Sequence, residues 1–200
     1  MKVTDQELRK KAAGTGVLLG LVVMVLSIFS FYFITSIATS FWLVSFGPLI
    51  FSVTLPIIVA VLFCIDLRKK IGGYWNFRQA VTGFFVMFLV CYAINYVGTN
   101  LLFAKVIEPH MVEKTQDAVI KASEEMMEKQ GVDQAQIDDR LESVKKKFEE
   151  QRENTPAKIA SNFGISLIFI FVISMIFAAI LKKDPPLFDT AALQEQDPIV

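Results

Sequence analysis

From Ala12 to Ile65, a run of 54 residues, the chain carries no Asp, Glu, Lys or Arg. As one helix that run would measure roughly 80 Å at 1.5 Å per residue, against a hydrocarbon core of about 30 Å. It must therefore hold two spans, with a turn near its middle where Thr35, Ser36, Thr39 and Ser40 cluster ahead of Trp42. Residues 79–104 and 159–181 are charge-free as well. Histidine is nearly absent: His110 is the only one, beside Pro109 with Glu108 and Glu113 close by. A single His without Cys makes a poor zinc site, and a solvated loop histidine is the simpler reading. The two cysteines, Cys64 and Cys91, fall in different spans at different depths, which argues against a disulfide. Excess positive charge is missing too. The formal net charge is zero, so the basic footprint of a nucleic-acid binder is not there. Gly72-Gly73 lacks the Lys-Ser/Thr of a phosphate-cradling loop. No catalytic constellation emerges, and the chain is expected to be no enzyme and to need no cofactor or metal.

What is present is apolar. Hydrophobic residues make up 54% of the chain, with 18 Phe, and the charges are segregated along it. Spans are expected at about 14–36, 43–66, 77–105 and 157–181. The first is read as a retained anchor, since its apolar run exceeds a signal-peptide h-region and no small-residue cleavage site follows. Lys2, Arg9, Lys10 and Lys11 precede it, Arg68, Lys69, Lys70 and Arg78 flank the second connection, and Lys182 and Lys183 follow the last span. The first connection carries no charge. Basic short loops face the cytoplasm, so both termini are expected there.

Local chemistry marks the boundaries. Asn76 with Gln79 reads as a capping box, and Thr155-Pro156 as a cap followed by a favoured first-turn proline. Pro48 and Pro56 should bend the second span. Residues 105–158 hold 13 of the 20 acidic and 10 of the 20 basic groups. Within them Val112, Val119 and Met126 recur every seven residues, and Ile137, Leu141, Val144 and Phe148 follow a 4-3-4 spacing. Both are apolar stripes on charged helices, broken at Gly131. The expected fold is an all-α membrane protein with four transmembrane helices and an extracytoplasmic helical hairpin inserted between the third and fourth, over residues 106–156. Residues 184–200, with Pro185, Pro186 and Pro198, read as a disordered cytoplasmic tail.

Three sets of residues stand out. Tyr92, Asn95, Tyr96 and Thr99 share one face of the third span, as interhelical hydrogen bonding or, more sharply, a solute path requires. Ile137, Leu141, Val144 and Phe148 form a candidate docking face for a second copy or another envelope protein. Gly72, Gly73, Tyr74 and Phe77 surround a tight cytoplasmic turn at which Tyr74 and Trp75 are expected to anchor at the headgroups. Small-residue pairs, Gly16 with Gly20, Ala160 with Gly164 and Ser174 with Ala178, permit close helix approach.

Ile65-Asp66, a basic patch, Gly72-Gly73-Tyr74, Phe77, Ala80 and Gly83 together resemble a family of uncharacterised four-span bacterial membrane proteins of Bacteroidetes type, a domain of unknown function. Asn95-Tyr96, Glu108-Pro109, Gln130-Gly131 and Ile180-Leu181-Lys182-Lys183 extend the resemblance over most of residues 14–183. It implies a four-helix inner-membrane protein and transfers no catalytic residues. The expected role is that of a non-enzymatic interaction or assembly component acting through the acidic hairpin. The alternative is a small transporter or channel component with a polar face on the third span, and a membrane enzyme would require metal at His110 and its neighbouring acids.

Overall fold

The computed structural model describes residues 4–152 and 155–183; the tail expected at 184–200 lies outside them. Four apolar helices are long enough to cross a membrane: α1 (Asp5–Ile37), α2 (Phe41–Lys70), α3 (Phe77–Ile107) and α6 (Pro156–Leu181). Between α3 and α6 lie two charged helices, α4 (Met111–Lys129) and α5 (Gln134–Arg152). The only β-type pairing among the described residues is a bridge between Trp75 and Lys183. We call the end holding the start of α1, the α2–α3 turn and the end of α6 proximal, and the end holding α4 distal.

The α1–α3 seam is the most extensive contact; α6 lies along α3, and α2 along α1. Two glycines explain the close approach. A Cβ on Gly16 would stand 2.5 Å from the Met87 carbonyl oxygen, and one on Gly20 would stand 2.8 Å from Ile94 Cβ, so only hydrogen fits at either position. The proximal core gathers on this seam: Leu8, Ala12, Leu19, Cys64, Leu67, Phe84, Met87 and Ala178 are buried together. Cys64 and Cys91 are free thiols in that region. The small pairs on α6 divide. Ser174 and Ala178 are buried, whereas a Cβ on Gly164 would meet nothing within 4 Å beyond its own helix and Ala160 is exposed. Large apolar side chains such as Ile165, Ile168, Phe169 and Ile180 point away from the protein, as lipid-facing residues do.

The helix ends follow local rules. Asn76 Oδ1 accepts from the Gln79 N–H (2.8 Å) while Gln79 Oε1 accepts from the Asn76 N–H (3.2 Å), a complete capping box. Thr155 Oγ1 accepts from the Lys158 N–H at 3.4 Å, ahead of Pro156. After α2, the Gly72 N–H reaches the Lys69 carbonyl and the Gly73 N–H the Arg68 carbonyl, with φ of 106° and 86°. After α4, the Gly131 and Val132 N–H groups reach the Glu128 and Met127 carbonyls, with φ of 70° at Gly131. Both are Schellman terminations, which need a left-handed residue just past the helix.

At the distal end the helices widen. Phe33–Ile37 of α1, Ile50–Thr54 of α2 and Val97–Ile107 of α3 wind with i→i+5 bonds, closed by N–H donation from Ala38 to Phe33, from Leu55 to Ile50 and from Glu108 to Phe103. In α2 the wide turn falls between Pro48 and Pro56, so the disturbance expected from the two prolines is concentrated there. Pro56 has no N–H to offer the Ser52 carbonyl four residues back.

Candidate functional site: a hydroxyl-lined cavity beneath α4

The three widened segments converge on one cavity of about 280 Å³. Its polar lining comes from Ser27 and Ser30 of α1, Ser52 of α2, Thr99 and Asn100 of α3 and Thr115 of α4. Phe31, Phe103 and Pro48 supply apolar wall, and among the described residues no ionisable side chain lines it. Single wide turns inside α-helices recur at functional sites, because an extra residue per turn re-aims side chains and loosens the carbonyl ladder.

The hydrogen bonds leave the cavity rich in acceptors. Ser27 Oγ donates to the Val23 carbonyl at 2.9 Å and Thr99 Oγ1 to the Asn95 carbonyl at 2.6 Å, so both hydroxyl protons turn back to their own helices. Ser52 Oγ donates to Ser30 Oγ at 3.1 Å, linking α2 to α1. Asn100 Nδ2 donates to the Tyr96 carbonyl and to Thr99 Oγ1, both at 3.3 Å. Oxygen lone pairs remain on each of these side chains.

Next to Thr99 on α3, Gly98 meets the Met24 side chain of α1. On the distal side Phe31 and Phe103, with ring centres 5.4 Å apart, separate it from a vestibule of about 380 Å³. The vestibule is lined by Thr35, Ser36, Glu108, Lys114, Asp117 and Lys121, along with Phe31 and Tyr32. Glu108 and Lys114 pair at 2.8 Å there, fixing the start of α4 over the bundle, and α4 also packs on the first turns of α2.

The residues singled out in the sequence fall in different places. Asn95 faces α1, with its Oδ1 3.4 Å from Ser27 Oγ, and Thr99 lines the cavity. Tyr92 stacks on Tyr96 and meets Phe163 of α6, so the tyrosines sit on the α6 side and the four residues do not line one path. On α5, Ile137 and Leu141 are covered by the chain itself, at 1% and 9% exposure, and only Val144 and Phe148 remain half-buried. A groove of about 380 Å³ opens beside them, floored by Met126, Met127 and Val132 of the α4 side, Leu141 and Val144 of α5, and Phe41 of α2.

At the proximal turn, Gly72 and Gly73 take the strained backbone, and Tyr74 and Phe77 are both 44% exposed. Lys183 Nζ lies over the Tyr74 ring at 5.3 Å. Trp75 departs from the expected headgroup anchor: it is 1% exposed. Its backbone N–H donates to the Lys183 carbonyl, and its Nε1 and Arg68 Nη1 donate to the Leu181 carbonyl. It closes the end of α6, whose last carbonyls lack partners within the helix. His110 Nδ1 stands 2.6 Å from Glu113 Oε2, both exposed, and among the described residues no three His, Cys, Asp or Glu side chains are placed to hold a metal ion.

The sequence reading missed Ser27, Ser30, Ser52, Phe31 and Phe103. Isolated serines in a charge-free run were a usable signal, but nothing in the sequence announced that three distant segments would widen around them.

Four apolar helices of spanning length define a multi-pass membrane protein. Within that class the chain belongs to the family described as Protein of unknown function (DUF4199), whose family model matches residues 15–183. No curated protein and no solved structure matches the chain.

Proposed function

We propose that the protein is a non-enzymatic component of the bacterial inner membrane that docks another envelope protein through residues 106–156, an extracytoplasmic helical hairpin formed by α4 and α5. The observation that carries this is the groove between the two helices. With Met126, Met127, Val132, Leu141, Val144 and Phe41 beside Ser123, Gln130, Gln136 and Arg140, it stays open although α4 is already seated on the bundle. Methionine is adaptable and recurs at surfaces that receive apolar segments. Residues 105–158 hold 13 acidic and 10 basic groups, a balance of −3, so a second copy would meet like charge; a partner segment with apolar anchors and basic flanks fits better. The docking face is thus narrower than the full stripe, because Ile137 and Leu141 serve the contact between α4 and α5 and leave Val144, Phe148 and the methionines.

A photo-crosslinking side chain at position 144 of the full chain, irradiated in native membranes, tests the reading. The expected product is one discrete heteromeric adduct, lost on Met126→Asp and absent when the crosslinker stands at the exposed Lys147. An adduct of two chain masses would replace the partner with a second copy, and lipid adducts alone would sink the proposal.

A transport reading has Thr99 and Asn100 in its favour. Against it stand the tyrosines, which sit on the α6 side and do not line the cavity.

A further inference from the structure

We infer that the cavity beneath α4 is a binding site for a small, uncharged, hydroxyl-rich molecule that enters from the distal vestibule. Three features select that chemistry. First, the lining is richer in acceptors than in donors: the protons of Ser27, Ser52, Thr99, Thr115 and the Asn100 amide are engaged by protein oxygens, Ser30 keeps a hydroxyl proton to give, and the oxygens keep free lone pairs. A ligand must therefore bring donors. A carboxylate or phosphate brings acceptors and would find the Ser30 hydroxyl as a donor among these many oxygens, with no cation to meet its charge. Second, among the described residues no ionisable side chain lines the cavity, and Phe31, Phe103 and Pro48 form part of the wall, so a bare cation would lose its water with no countercharge in return. Third, about 280 Å³ lies just below the usual range of about 300–1,000 Å³ for drug-sized ligands, which limits the occupant to a compact solute such as a short polyol.

The surroundings agree. Phe31 is shared by the cavity and the vestibule, so the two compartments are separated by side chains alone. The vestibule presents both signs of charge, Glu108 and Asp117 against Lys114 and Lys121, and so favours neither ion. The Met24 side chain packs on Gly98 beside Thr99, which fits a receptor pocket better than a channel.

The test uses the full chain in lipid nanodiscs, with glycerol as the probe and glycerol 3-phosphate as its charged counterpart, read by saturation-transfer NMR. Saturation should pass to the carbon-bound protons of glycerol and fall at least tenfold in Ser52→Ile, which fills the cavity from α2. Thr115→Trp, which fills it from α4 outside the bundle core, should do the same, so the outcome does not depend on one variant folding. Glycerol 3-phosphate should give no transfer. Equal transfer from both probes, unchanged transfer in the filled variants, or no transfer from glycerol would each overturn the inference.

Discussion

A hydrogen atom in place of a methyl group lets the α1 and α3 backbones meet. Gly16 lets α1 lie against the Met87 carbonyl, and the obstacle to any larger residue is backbone, which cannot rotate aside. Val90 Cβ stands 3.0 Å from the same point and blocks the other direction. Gly16→Val should therefore lower stability by about 1–3 kcal/mol, the usual cost of overpacking, visible as a lower unfolding midpoint in detergent. Gly164→Val supplies the control: a Cβ there would meet nothing within 4 Å beyond its own helix, so it should leave the midpoint unchanged. If the two variants shift alike, the seam does not rest on Gly16. The two Gly-x-x-x-Gly-like patterns look equivalent in sequence, and only the fold shows which one meets a neighbour.

Helix ends were far more legible than helix interiors. At the start of α3 the capping box joins two residues three apart, so its partners are fixed by the sequence. Asn76→Ala removes the acceptor for the Gln79 N–H and should cost about 0.5–2 kcal/mol, while Asn76→Asp, which keeps an acceptor, should restore most of it. Equal loss in both variants, measured by thermal unfolding, would mean that the side chain matters for some other contact. The Thr155-Pro156 start of α6 and the break at Gly131 were readable for the same reason. Trp75 was not: its burial depends on the last carbonyls of α6, more than 100 residues away, arriving beside it. The widened turns were not readable either, because i→i+5 winding follows from what surrounds a helix and has no residue signature of its own. The α5 stripe shows a third limit. Its period correctly marked an inward face at Ile137 and Leu141, but a period cannot say whether the chain or a partner covers that face.

At the scale of the whole molecule, two unlike ends are held apart by an apolar bundle. The proximal end gathers Arg9, Lys10, Lys11, Arg68, Lys69, Lys70, Arg78, Lys182 and Lys183, and Lys11 Nζ bonds the Lys70 carbonyl across the α1–α2 pair at 2.9 Å. The connection between α1 and α2 at the distal end carries no charge, and the charges there belong to α4, α5 and their flanks. Basic short connections stay on the cytoplasmic side during insertion, so the proximal end should be cytoplasmic and α4 and α5 external. Single cysteines read this directly, because Cys64 is buried and Cys91 half-buried within the spans. In cells with a permeable outer membrane, Ser143→Cys should react with a membrane-impermeant maleimide, and Lys10→Cys should react only after the inner membrane is broken. The reverse pattern would turn the molecule over. It would move both the groove and the vestibule to the cytoplasm, where an envelope partner could no longer reach the one and an external solute the other.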